Sequence, residues 1–431
     1  MSSSKDFTVA ICGGGLCGLA CAVALSRAGI SVTVFEASSF SQESGAGVGL
    51  GRATSFIRAS VLPNAVRALK GLGIFDAILA RSDQPEPAPR LFGFVSAKDP
   101  HDFIFSYETR CEDPVALAIY RPAFLEALLS LLDPSIIHFQ KRCTSVNVSE
   151  TGKHVMYFTD DTIHEADLVI GADGVRSVTR RYVIGQVLKN PLAYPNTAAY
   201  RGLVPTEDLR RAGVQTNLTG RPICFLGSGK HMICFPIKGA TVINIVVFVT
   251  DYDKPPQSEL PYPWVESASQ IELKDSCKDW GHDPMIILDH LKNPSKWSIH
   301  ALDPPLRSYV RDNVVLVGDA SHAMLPHLGA GVGQGFEDVF VLVQLLTHSK
   351  TQKFNLCDVL AQYDNVRPPR ANGVLQASAR VGRLYDSFRS SEQDEARLQQ
   401  GLSGMWENVW GHDLYEDVAA AFESLHRLQV F

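Results

Sequence analysis

No cysteines of this chain pair as Cys-x-x-Cys, and no cysteine–histidine spacing suits a metal, although nine cysteines are present. That argues against a zinc ribbon or a disulfide scaffold and predicts a reduced, cytoplasmic protein. Basic blocks are missing as well: with 40 Lys+Arg against 46 Asp+Glu and a net charge of −6, no nucleic-acid partner is expected. The one long apolar run, Phe7 to Leu25, is punctuated by spaced glycines, and Met1 to Asp6 is not a basic leader. Neither a signal peptide nor a membrane span is therefore predicted. Internal repeats and low-complexity tracts are also absent. What remains is ordinary globular composition over 431 residues, long enough for two or three domains and a large core.

What is present begins at Phe7. An apolar strand, Phe7 to Cys12, runs into Gly13, Gly15 and Gly18; an apolar helix follows to about Ala28, and a second strand, Ser31 to Phe35, ends at Glu36. This is a dinucleotide-binding pattern. Gly13 makes the turn, Gly15 admits a pyrophosphate, Gly18 brings helix and strand together, and the helix N-terminus offers free N–H groups. Glu36, eighteen residues beyond Gly18, is placed to accept hydrogen bonds from ribose hydroxyls. Cys12, Cys17 and Cys21 read as small apolar residues. The pattern alone does not choose between NAD and FAD.

Further along, Gly45 to Gly51 is a glycine-rich loop, a helix is predicted from Asn64 to Leu72, and Pro85 to Pro89 reads as a linker. A helix opens at Tyr120-Arg121-Pro122, and short strands follow at Ile136–Phe139, Cys143–Ser149, Val155–Thr159 and Thr162–Glu165. A buried strand then turns at Asp173-Gly174. From Ala198 to Thr250 the alternation predicts an antiparallel sheet. A second apolar strand turns at Gly318-Asp319, and a helix of about a dozen residues starts near Gly333, with Glu337 and Asp338 suiting its dipole. The remainder, Cys357 to Leu428, is mostly helical. The fold class is α/β: a Rossmann-like domain, an antiparallel-sheet substrate domain and a helical C-terminal region. The domain division is 1–84, 119–190 and 304–350 for the dinucleotide domain, 85–118 and 191–303 for the substrate domain, and 351–431 for the helical region.

Taken together, the glycine fingerprint, Asp173-Gly174 and the stretch Gly318-Asp319-Ala320-Ser321-His322 through Gly329-Ala330-Gly331-Val332-Gly333 resemble the FAD-dependent aromatic hydroxylases of the p-hydroxybenzoate hydroxylase type. Within that family the resemblance is to the salicylate hydroxylase-like members and their fungal relatives. It implies bound FAD, with NADH or NADPH and O2 as co-substrates. It implies oxygen transfer through a flavin C4a-hydroperoxide to an electron-rich phenolic acid, with decarboxylation to a catechol when the attacked carbon bears a carboxylate. It assigns FAD contacts to Gly47, Arg121, Asp173, Gly174, Gly318, Asp319, Gly331 and Val332. The nicotinamide is expected to dock briefly, since no second fingerprint is present. The protein is expected to be a monomer or a homodimer with small-molecule partners and no metal.

His327, after Pro326 in the loop expected at the flavin ring, is the candidate for proton work on the phenol, imidazole having the right pKa range. Arg201 matches an arginine of fungal phenol-oxidising relatives and suits a phenolate or a carboxylate; the alternative is a solvated strand arginine. His231 and Phe235 are expected to line the substrate face, and His322 reads as structural. Trp410-Gly411-His412-Asp413 is familiar from fungal members without a role. Arg52 to Leu62 has no family counterpart, being either a surface loop or a gene-model error. Two rival functions stay open: a monooxygenase of larger phenols or terpenoids, and a catalytically silent flavin-binding protein. A flavin halogenase is disfavoured, as no Trp-x-Trp-x-Ile-Pro motif occurs.

Overall fold

The computed structural model describes residues 5–39, 58–82, 92–106, 117–185, 189–389 and 391–431. The N-terminal apolar run forms the strand Thr8–Cys12, which lies at the heart of a six-stranded sheet. It pairs in parallel with Ser31–Phe35 on one side and Leu168–Gly171 on the other, and the latter pairs in parallel with Val314–Leu316. Both faces of such a sheet are covered, so its strands need no polar alternation. The helices Leu16–Arg27 and Gly331–Thr347 pack together near it, and Leu19, Val23, Phe336 and Leu342 are buried in its core.

A second sheet has eight strands, in the order 265–267, 295–298, 197–205, 242–250, 230–237, 223–227, 93–96, 103–106. It is antiparallel except where Ile223–Gly227 runs parallel to Gly93–Ser96. One face packs on the short helices Gln270–Ser276 and His282–His290 through Tyr200, Met232, Val247 and Leu288. The other face carries Ala199, Val246 and Phe248, with Ile233, Phe235 and Trp297 packed against them. The second face is the one that meets the first sheet's loops.

Three sequence expectations need correction. The helix predicted near Gly333 spans Gly331–Thr347, and its Glu337 and Asp338 do not face solvent as dipole partners. Both are fully buried and bonded to Arg367 and, for Glu337, Arg370 of the helix Leu356–Asp386. A strand went unforeseen at Leu117–Tyr120, just before the helix Arg121–Leu129. It pairs antiparallel with Arg58–Val61, so the last part of the unmatched stretch is sheet, while residues 52–57 lie outside the described residues. The Trp410–Asp413 stretch acquires a role: its carbonyls at Trp410 and His412 accept from Arg67, and Asp413 caps the helix Leu414–Arg427. No helix among the described residues is long and apolar enough to cross a membrane.

Candidate active site

The three glycine-bearing corners converge. A Cβ on Gly18 would lie 2.0 Å from the Gly13 carbonyl oxygen, so the first helix and the turn are pressed to backbone contact. The same turn abuts Ala172 and Asp173 at the end of the neighbouring strand, where a Cβ on Gly13 would lie 2.3 Å from the Ala172 oxygen. On the other flank, a Cβ on Gly335 would lie 2.4 Å from Cys17 Sγ and 3.3 Å from Gly318 Cα, joining the third corner to the first. Cys17 is thus packing at the junction, and burial pushes its thiol far above the ordinary value.

The polar groups at these corners divide into those turned to the cleft and those spent on holding it. The helices starting at Leu16 and Gly331 have no side-chain cap, which leaves their first N–H groups for an anion. The Asp319 side chain is exposed at its corner. Glu36 accepts from the Gly14 N–H at 2.7 Å and from the Ser38 N–H at 2.7 Å, which holds its carboxylate beside the glycine turn. Asp173, expected at the cofactor, also organises its own loop. Its carboxylate accepts from Ser177 Oγ, Thr179 Oγ1 and the N–H groups of Val178 and Thr179, so it organises the helix start at Thr179. Gly174, next to it, adopts φ +74°. Arg121 is half-buried at the first turn of its helix. Gly47 lies outside the described residues.

Arg180, which no sequence motif flagged, ties two corners together. Fully buried, it donates to the Val175 oxygen on one side and to the Asp319 and Ala320 oxygens on the other. Burial pulls its pKa down to about 10, still charged at neutral pH. Below the third corner, Asp338 accepts from the Gly318 N–H at 2.8 Å and pairs with His322 at 2.6 Å. His322 is a fully buried support of the turn, in keeping with its structural reading.

On the open face of the second sheet, the loop Pro326–Leu328 brings His327 against His231 and Phe248, with ring centroids 5.2 Å apart in both contacts. His327 is almost wholly buried, and its Nδ1 has no hydrogen-bond partner among the described residues. Burial first, then the neighbouring His231, push its pKa down to about 3, with Asp386 opposing. The ring is therefore neutral at physiological pH. His231 does not line an open face as expected: its ring is fully enclosed, stacked on Phe248, with Nδ1 2.7 Å from Asp386 Oδ1. His327 covers it. Phe235 is half-buried on the same face. Arg201 is half-buried and pairs with no carboxylate among the described residues. Its guanidinium lies 5.0 Å over the Trp297 ring, its Nε is buried without a partner, and desolvation lowers its pKa to about 10.

A largely parallel sheet whose glycine corners carry two uncapped helix ends suits an anionic dinucleotide, and the second sheet turns an apolar face with His327 and Arg201 toward the loops of the first. The chain belongs to the family described as FAD binding domain, whose model matches residues 6–378. It is 37% identical over 423 residues to a salicylate hydroxylase of Pseudomonas putida, covering 96% of this chain and 94% of that one. It is 30% identical over 430 residues to a 6-methylsalicylate 1-monooxygenase of Aspergillus terreus, covering 96% and 91%. Among solved structures it matches a salicylate hydroxylase substrate complex with a TM-score of 0.83 at 30% identity, over 97% of this chain and 98% of that one. The protein is an FAD-dependent aromatic monooxygenase, and the silent flavin-binding alternative falls.

Proposed function

We propose that the protein converts a 2-hydroxybenzoate of the salicylate class to a catechol, consuming NAD(P)H and O2 and releasing CO2. The balance is salicylate, NADH, O2 and two protons giving catechol, CO2, water and NAD+. The observation that carries this reading is Arg201: a half-buried guanidinium with no carboxylate partner among the described residues, on the apolar sheet face that holds His327. A half-buried cation without a counter-ion suits a carboxylate ligand. The relatives that act on salicylate and 6-methylsalicylate support the same class.

FAD fits the corners described. Glu36 and Asp319 would hold its ribose and ribityl hydroxyls, and the helix ends at Leu16 and Gly331 its pyrophosphate. When bound, it supplies the reduction and oxygen-transfer chemistry. The chain's own work is to orient and to move protons. Arg201 holds the carboxylate, Phe235 and Phe248 pack the ring, and the neutral His327 accepts the phenolic proton. The ring becomes electron-rich as that proton leaves. The apolar face keeps water from the reacting edge.

The test is turnover of salicylate with NADH or NADPH by wild type and His327→Asn, scoring catechol, CO2 and peroxide together. Coupled hydroxylation is expected to fall on the order of 10²-fold in the variant while bound flavin is retained. Wild type that yields peroxide but no catechol would sink the substrate reading; an unimpaired variant would sink the role of His327.

A further inference from the structure

The direction of the Arg201 side chain is set by the strand beside it. The strands 197–205 and 295–298 run antiparallel, with Arg201 opposite Ser295 and Ala199 opposite Trp297. Residues two apart on a strand share a face, so Arg201, Ser295 and Trp297 all belong to the face that carries Ala199. Trp297 is the diagonal neighbour of Arg201 on that face. The guanidinium lies 5.0 Å from the centre of the Trp297 ring, within the range of a cation–π contact. The indole is itself pinned, because its Nε1 donates to Ser295 Oγ at 2.9 Å. Ser295 is buried, and its hydroxyl reaches back to the Arg201 carbonyl oxygen at 3.5 Å. A closed circuit of three residues thus ties the indole to the backbone of the arginine it faces.

The geometry points to Trp297 as the positioning residue of a carboxylate subsite: its ring aims the Arg201 guanidinium, so that the protein takes 2-hydroxybenzoates in preference to their uncharged analogues. That role rests on the reading of Arg201 as the carboxylate ligand.

Other ways of holding the guanidinium are closed. On the strand 242–250, Arg201 faces Val246, which is apolar and buried. Among the described residues its Nε has no hydrogen-bond partner, and desolvation alone shifts its pKa, with no neighbouring charge contributing. Ser295 Oγ, the polar side-chain atom opposite, is already engaged by the indole. An arginine left free would range over many rotamers, and fixing it costs entropy. The aromatic ring supplies attraction without supplying an acceptor: it favours the cation over its face and leaves the N–H groups unmet. A neighbouring protein carboxylate would have paired with those groups and cancelled the charge. The sheet face therefore keeps a positive charge and free donors in one place. A planar carboxylate answers both with two parallel hydrogen bonds. A carboxamide of the same shape brings no charge, one acceptor oxygen, and an NH2 group that sets donors against donors.

The test compares salicylate with salicylamide, which differ in charge but hardly in shape, on the FAD-loaded enzyme. Each is titrated by its perturbation of the flavin absorbance, beside steady-state turnover. Wild type should bind salicylate more tightly, by on the order of 10-fold or more, and Arg201→Met should abolish the preference. Trp297→Leu should weaken salicylate about 5- to 30-fold, with the loss in KM rather than kcat, and should change salicylamide by less than about twofold. Trp297→Phe, which keeps a π face, should recover most of that loss. Should the leucine variant lose its flavin, Trp297→Met, with a flexible side chain, is held to the same numbers. A loss shared equally by the two ligands means that Trp297 only fills space and overturns the inference, as does a variant that binds salicylate like wild type; the function stands in either case. A wild type without a preference for salicylate removes the Arg201 role, and the inference falls with it.

Discussion

Replacing Arg367 with methionine is expected to destabilise the fold by about 3–5 kcal/mol, the cost of leaving buried carboxylates without their cation. Arg367 Nε lies 2.8 Å from Asp338 Oδ1 and Nη1 lies 2.9 Å from Glu337 Oε2, all fully buried. Methionine keeps much of the volume, so the loss is electrostatic rather than a cavity. Arg370 remains on Glu337 at 3.0 Å, and His322 remains on Asp338, which keeps the variant from losing every partner. The effect should depend on pH with a definite sign. Burial pushes both carboxyls up, but the charges of Arg367 and Arg370 on Glu337, and of His322 and Arg367 on Asp338, outweigh it; both sit below their ordinary values. A carboxyl depressed in the folded state contributes stability above its unfolded pKa of about 4 and loses it as pH falls through the folded value. The gap between wild type and variant in urea unfolding should therefore be widest near pH 7 and close in acid. A gap that is flat with pH would show that packing, not charge, is what Arg367 supplies. Replacing Glu337 and Asp338 by Gln and Asn in the same chain should recover part of the loss.

Gly18→Ala should yield a folded, colourless protein. Ala favours a helix by about 1 kcal/mol over Gly, so local propensity predicts a gain in stability. The tertiary geometry opposes it, because the new Cβ would sit 2.0 Å from the Gly13 oxygen. Turn and helix must part, and the N–H groups at the start of the helix then miss the pyrophosphate. Losing one or two charge-assisted bonds of about 1.5–3 kcal/mol each corresponds to a fall in FAD affinity on the order of 10- to 10⁴-fold. Flavin absorbance after dialysis, with circular dichroism for folding, measures it; full flavin content would contradict the close approach.

Much of this was legible in the chain itself. The runs Phe7–Cys12, Leu168–Gly171 and Val314–Leu316 are apolar throughout because both faces of their sheet are covered. Gly13 after the first run is forced by backbone contact with Ala172, and Gly318 after the third by its φ of +65°, so cause and signal coincide there. Residues 197–250 alternate because only paired strands use a period of two. Glu337 and Asp338 were misread because the dipole argument looks within one helix, while their cations stand about thirty residues away. Asp173 was read only as a cofactor residue, and its service to its own loop is visible only in three dimensions. The enclosure of His231 was not foreseen, since nothing in Lys230–Ile237 announces that His327 packs on it. Asp386 and Arg180 belong to no motif, and their importance arises only when distant segments meet.

Asp338 holds two obligations at once: one oxygen grips Gly318 N–H and His322, the other Arg367. The cofactor corner is thus hinged to the helix pair behind it and has no separate latch. That amide should exchange with deuterium only when the whole molecule comes apart, even in the flavin-free form. An empty protein would then wait with its binding corner already set, and loading would be a docking event rather than a refolding one.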